Sequence, residues 1–340
     1  MGDNITQGRR QFVKATVATG VGGITGITGC LGATEDEISS ITGTPLTRGP
    51  DDIFGQAFRE AGEMFEEETD GEVEVEIVTL ETEEEAIDAT ADGSIDLYHT
   101  SMGALTVAFA PELDFLETPF VTRDYDHFLS LTEEWVHDGP LNESMIEEGN
   151  QRVLDSTFRG QRGTITQEPV SHVDDVQGMQ MRVPQFDDWV QIWDAVGVNP
   201  TPVDAAEVYQ ALETGVVESM EAPVAQYVSQ STYEVATYFT QTDHLPQTFN
   251  YVINNDTWES MSDGQQELFT EILRDRAQWA TDQVDENTEE LFDMLIDEHD
   301  VTLISSDEVD RDSFVESAES RIEELFDEEW ESTFDEVLDT

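Results

Sequence analysis

Residues 178–185 read GMQMRVPQ, an apolar run with a single charge in it. Arg182 is the chemistry-bearing residue of that run. A guanidinium offers five donors in a fixed fork that matches a carboxylate at two points, and an arginine on an apolar strand needs an anion nearby. Two readings stay open on the residues alone: Arg182 grips the carboxylate of a ligand, or it pairs with one of the chain's own many acids. Catalytic groupings are absent by comparison. The sequence has no G-x-S-x-G, H-E-x-x-H, P-loop or G-x-G-x-x-G pattern. The six histidines (His99, His127, His137, His172, His244 and His299) have no ligand spacing, so no metal, cofactor or enzyme activity is expected. Among so many acids, an Asp/Glu pair is not a sign of acid–base catalysis.

The composition makes Arg182 conspicuous. The chain has 77 Asp and Glu against 14 Lys and Arg, a formal charge of -63 over 340 residues, and Lys14 is its only lysine. Nucleic acid and anionic lipid headgroups are excluded as partners, because no basic patch exists to meet them. Yet 38% of the residues are hydrophobic and 9% aromatic, enough to build a core. The acid must therefore coat a folded surface. Such a surface suits molar salt, where the Debye length falls to about 3 Å and self-repulsion is screened. A halophilic, salt-requiring protein is expected.

The first thirty residues read as a processing signal. Arg9-Arg10-Gln11-Phe12-Val13-Lys14 precedes a weakly apolar Gly/Thr/Ala run that ends in Ile27-Thr28-Gly29-Cys30. The run is too short and mild for a membrane-spanning helix. The order predicts twin-arginine export, cleavage before Cys30 and a lipid on its thiol, which would hold the protein on the outer face of the cytoplasmic membrane. Cys30 is the only cysteine, so no intrachain disulfide can form.

The elements that must position Arg182 alternate. Residues 31–45 read as an acidic tether running into a first strand. Ile53, Phe54, Ala57, Phe58, Ala61, Met64 and Phe65 recur at helical spacing, and Val73, Val75 and Ile77 alternate with glutamates as a strand does. A helix over 83–91 and a strand over 95–98 follow. Strands are expected at 180–183 and 216–220, with helices at 187–195 and 207–214. From Asp263 to about His299 one helical pattern runs without proline, with Leu268, Ile272, Trp279, Val284, Leu291, Met294 and Leu295 on its buried face. At 1.5 Å per residue it would be about 50 Å long, enough to bridge two domains. The class is α/β with a mixed sheet.

An ordered set of motifs then resembles one family. Asp92-Gly93-Ser94-Ile95-Asp96, Pro111-Glu112 and Thr118-Pro119-Phe120 lead to Gly178-Met179-Gln180-Met181-Arg182-Val183-Pro184. After these come Trp193, Gly197, Pro202, Glu207-Val208-Tyr209-Gln210-Ala211-Leu212, Gly215-Val216-Val217-Glu218 and Glu221. The set resembles the solute-binding proteins of tripartite ATP-independent periplasmic (TRAP) transporters, the C4-dicarboxylate-binding DctP family. The resemblance implies a two-domain, type II periplasmic-binding-protein-like fold with mixed sheets, hinge crossovers and a long helix spanning both domains. After the signal (1–30) and tether (31–42), domain I would take 43–159 plus 248–287, and domain II 160–247 plus 288–335.

The resemblance also implies a role: a monomeric receptor that delivers a small organic acid to TRAP permease subunits. The expected binding residues are Arg182 on the ligand carboxylate, Arg162 as second contact with Arg159 as rival, and Glu221. Trp193, Tyr98 and Tyr227 would supply aromatic surface. Glu221-Ala222-Pro223 lacks the Asn of the family's E-N-P segment, and Ala205-Ala206 lacks the aromatic before Glu207. The acid could be a dicarboxylate or a 2-oxo or hydroxy monocarboxylate. The same fold would also serve a ligand sensor for a signalling partner, and an extracellular enzyme is the lesser alternative.

Overall fold

The computed structural model describes residues 38–46, 52–330 and 332–340; the signal segment and Cys30 lie outside the described residues. Ten strands occur among them: β1 (Ser40–Thr44), β2 (Glu74–Ile77), β3 (Leu97–Ser101), β4 (Gln151–Thr166), β5 (Gln180–Val183), β6 (Asn199–Pro202), β7 (Ser219–Pro223), β8 (Tyr238–Thr240), β9 (Pro246–Asn254) and β10 (Thr302–Ile304). They pair in the order β2-β1-β3-β9-β4-β7-β5-β6, with β8 also on β4 and β10 on β8. Parallel pairs (β1 with β2 and β3, β5 with β6 and β7) stand beside antiparallel ones (β3 with β9, β4 with β9 and β7), so the sheet is mixed.

One strand, β4, does the joining among the described residues. β4 lies against β9 from Gln151 to Gln161, then against β7 from Arg162 to Thr166. The change of partner coincides with a register shift between Phe158 and Gly160, where Gly160 has φ +114°. That backbone region is open to glycine and strained for other residues. The bulge places Arg159 and Arg162 on either side of the bend.

The long helix, Asp263–His299, joins the same two parts from outside. A capping box fixes its start, with Ser262 and Gln265 satisfying each other's backbone amides. Its first half packs Phe269, Ile272 and Leu273 with Phe58, Phe65 and Tyr251; its last turns pack Phe292 and Leu295 with Ile165, Tyr227 and Phe239. Between them Ala280 and Val284 meet Phe54, Phe158 and Phe249. Its buried stripe is Phe269, Ile272, Leu273, Ala277, Ala280, Val284, Phe292 and Leu295, while Leu268, Trp279, Leu291 and Met294 lie half-buried at its edge.

The expected helices over 83–91 and 187–195 occur as Glu83–Ala91 and Asp187–Val196. The strand expected at 216–220 is Ser219–Pro223, because Gly215 takes φ +74° and residues 216–218 complete the turn. β1 opens at Ser40, inside the stretch expected as tether. Among the described residues no helix is long and apolar enough to cross a membrane.

Candidate functional site

β5 carries Arg182 between Met181 and Val183, both fully buried, and Pro184 stops the strand beyond it. Arg182 is 4% exposed. Its Nε donates to the Val203 carbonyl at 2.9 Å, and that is the one hydrogen bond of its side chain among the described residues. Arg182 lines a cavity of about 430 Å³, a volume in the small-molecule range. Burial pulls the pKa of Arg182 down, the Glu221 charge opposes that, and the Arg162 charge adds to it. The guanidinium is charged and makes no ion pair among the described residues.

Arg162 lines the same cavity from β4 but has its anion already. Its Nη2 donates to Glu221 Oε1 at 2.7 Å, its Nε to Glu221 Oε2, and its Nη1 to Gln247 Oε1 at 2.8 Å. Its guanidinium lies 5.0 Å from the centre of the Trp189 ring, a cation–π contact. Burial alone would raise the pKa of Glu221, but the Arg162 charge and the His244 and Arg162 hydrogen bonds hold it below the usual carboxylate range. His244 Nε2 sits 3.3 Å from Glu221 Oε2 and its Nδ1 2.8 Å from Thr242 Oγ1; burial lowers its pKa and favours the neutral ring.

Gln247 on β9 links these arginines to an acid. Its Oε1 also accepts from Arg159 Nη1 at 3.1 Å, and its Nε2 donates to Glu117 Oε1 at 3.2 Å. Glu117 ends the 3-10 segment Pro111–Glu117 and is 4% exposed. Its Oε2 accepts from the Gly103 amide, and its backbone carbonyl from Trp189 Nε1 at 2.9 Å. Burial pushes its carboxyl up to about 7, against the pull of the Gly103 amide, the Arg162 charge and Gln247. Glu83 opens the helix Glu83–Ala91 and reaches the cavity with its Oε1 held by Thr100 Oγ1 at 2.7 Å and the Ser101 amide at 3.0 Å. Phe186 and Phe249 supply apolar wall.

Of the residues expected from sequence, Arg182, Arg162 and Arg159 come together at this cavity. Glu221 stands behind it, fully buried against Arg162. Tyr98, Trp193 and Tyr227 do not line it. Each is fully buried: Tyr98 donates to Gln151 Oε1 at 2.6 Å, Trp193 packs edge-on against Phe120 and His244, and Tyr227 sits among Met220 and Phe239. Sequence reading passed over Glu117, Gln247, Glu83 and Trp189. Glu117 had a signal: it is the one acid in Phe115-Leu116-Glu117-Thr118-Pro119-Phe120. An acid set in an apolar run needs a partner or a purpose.

A larger cavity, about 660 Å³, adjoins the first and shares Asp52 and Arg159 with it. Arg159 is the one cation in its wall, beside Asp243, Asp285 and Glu290, and its remaining lining is largely apolar. Three arginines line the smaller cavity and one the larger. Among the described residues no group of three or more His, Cys, Asp or Glu is placed to hold a metal ion.

A sequence model described as DctP, bacterial extracellular solute-binding protein, family 7, matches residues 47–329. Over 230 residues the chain is 31% identical to a solute-binding protein of Chromohalobacter salexigens, a match covering 66% of this chain and 67% of that one. It is 26% identical over 182 residues to the sialic acid-binding periplasmic protein of Vibrio cholerae, with 54% of this chain and 56% of that relative matched. The chain thus spans little more than half of the second relative. Among solved structures, a TRAP periplasmic solute-binding protein from Chromohalobacter salexigens with bound D-glucuronate superposes with a TM-score of 0.77 at 26% identity, covering 88% of this chain and 99% of that one.

Proposed function

The chain belongs to the family 7 bacterial extracellular solute-binding proteins, and on that premise we propose that it is the receptor of a TRAP transporter, binding a small organic acid through Arg182. The carrying observation is the contrast between two arginines in one cavity. Arg162 is matched by Glu221, whereas Arg182 meets only a carbonyl through Nε. A buried guanidinium with open donors is stabilised by a ligand carboxylate that takes both Nη groups. The D-glucuronate in one similar structure and the sialic acid in the name of one relative are carboxylates of this kind.

In this reading residues 43–159 with 248–287 and residues 160–247 with 288–335 act as two domains that close on the ligand about the β4 bend and the long helix. The closed form is handed to the permease subunits, without turnover of the ligand. The signal pattern in residues 1–30 supports export by the twin-arginine route and a lipid on Cys30. Cys30→Ser should then release the protein from the membrane or leave it unprocessed.

The test of the receptor reading is purification in molar salt, with mass spectrometry of any acid carried through and calorimetry of that acid against Arg182→Ala. Removing one partner of a buried charged hydrogen-bonded pair costs about 2–5 kcal/mol, roughly 30-fold to a few thousand-fold in affinity. Near-wild-type affinity in Arg182→Ala would refute the assignment.

A further inference from the structure

We propose that this cavity selects a polyhydroxylated monocarboxylate and rejects dicarboxylates, with Glu83 and Glu117 as the residues that enforce the choice. The inference rests on the receptor reading above and narrows its ligand.

Arg162 spends Nε and Nη2 on Glu221 and Nη1 on Gln247, and Arg159 gives Nη1 to the same Gln247 oxygen. Arg182, 4% exposed, has both Nη groups without a hydrogen-bond partner among the described residues. Arg159 has further partners in the fold, so Arg182 supplies the one carboxylate-sized fork. A second carboxylate would have to settle among the other charged groups of the wall, where Arg159 and Arg162 are already engaged and Asp52, Glu81, Glu83 and the ionised form of Glu117 carry like charge that disfavours it at short range.

Glu83 is fixed by donors to Oε1, while Oε2 has only Ser101 Oγ at 3.5 Å. Glu117 is fixed by one donor on each oxygen, which leaves acceptor capacity on both. An ionised carboxylate only accepts, so the ligand must bring donors there. Hydroxyls and an ammonium both qualify. Burial raises Glu117 to about 7, so both its neutral and its ionised form occur near neutrality, and a neutral acid donates as well as accepts. A hydroxyl answers both forms; an ammonium answers only the ionised one. Carboxylate at Arg182 and hydroxyls at Glu83 and Glu117 together describe a sugar acid.

The test is calorimetry in one molar-salt buffer with D-gluconate and D-glucuronate as monocarboxylates, D-glucarate as the same carbon chain with two carboxylates, and the zwitterion ε-aminocaproate. The better monocarboxylate should bind about ten-fold or more tightly than D-glucarate. Glu83→Gln and Glu117→Gln should narrow that ratio, chiefly by improving D-glucarate. The wild-type ratio stands as a test even if a variant fails to fold. Equal or tighter binding of D-glucarate overturns the selectivity and leaves the receptor reading intact, and so does tightest binding of ε-aminocaproate. Binding of none of these acids, with none carried through purification, overturns both.

Discussion

Arg162 and Glu221 form a closed pair: Nη2 of the first donates to Oε1 of the second at 2.7 Å, with side-chain exposures of 4% and 0%. The pair joins β4 to β7 where β4 leaves β9. Its cost of burial is offset only while both partners are present. Glu221→Gln leaves Arg162 charged, buried and short of its anion. The expected loss of stability is about 3–5 kcal/mol, read as a lower urea midpoint in molar salt. An unchanged midpoint would show that the pair does not hold the bend together.

Arg182 is expected to behave in the opposite way, because its anion is the ligand. Arg182→Lys retains the charge but loses the planar fork that can meet a carboxylate at two points while Nε holds the Val203 carbonyl. Affinity should fall by roughly ten-fold or more, about 1.4 kcal/mol per factor of ten. The ligand-free melting temperature should move little. Wild-type affinity in Arg182→Lys would mean that charge alone, not the fork, holds the ligand.

Three buried acids give a pH dependence with a defined sign. Burial raises Glu117 and Asp114 to about 7 and Asp188 to about 6, from ordinary values of 4.5, 3.8 and 3.8. The folded protein therefore keeps protons that the unfolded chain has lost across that interval. Their contribution is complete below the unfolded values and disappears as pH rises through 6 to 7, with about 3 kcal/mol attached to Glu117 as an order of magnitude. Melting temperature should fall from pH 5 to pH 7.5. Surface repulsion has the same sign, so the decisive comparison is Glu117→Gln, whose curve should be flatter than wild type; parallel curves would contradict the raised pKa.

What the sequence disclosed depended on how local the signal was. β5 and Arg182 were legible because an apolar strand, one arginine and a stopping proline stand together. The long helix was legible because its period runs unbroken behind Ser262. β4 was not, since its sixteen residues alternate poorly and it changes partners midway, so its burial is set by β7, β8 and β9 rather than by its own pattern. Gln247 and Glu117 meet across 130 residues of chain, and nothing in either neighbourhood announces the other. Tyr98, Trp193 and Tyr227 misled because an aromatic residue has the same sequence appearance in a core as in a binding wall.

Gly160 is the conformational requirement of the bend. A Cβ there would lie 3.6 Å from Pro223 and 3.7 Å from Val284, ordinary contacts, so any penalty comes from φ +114° and not from crowding. Gly160→Ala should cost about 1–3 kcal/mol. It should also weaken ligand binding, because Arg159 and Arg162 are aimed by the backbone on either side. Stability and affinity both at wild-type level would mean that β4 can bend without the glycine.

Salt dependence follows from where the acids lie. Helix Ile53–Glu68 ends in exposed Glu66, Glu67 and Glu68, at the pole where the helix dipole favours cations, and it has no basic residue in its last turn. Helix Asp263–His299 exposes Glu267 with Glu271, and Asp293 with Asp297, like charges four residues apart. Each such pair costs a few tenths of a kcal/mol when unscreened, a small amount that recurs over a chain of charge -63. Going from about 1 M to 0.1 M salt lengthens the Debye length from about 3 Å to about 10 Å and brings neighbouring acids into mutual range. The melting temperature should therefore drop steeply over that interval. Glu67→Lys with Glu271→Lys should make the drop shallower, while Arg182 and its cavity are untouched. A melting temperature that does not change with salt would remove the case for a salt-requiring protein, and an unchanged slope in the double variant would show that these two helices are not where the repulsion acts.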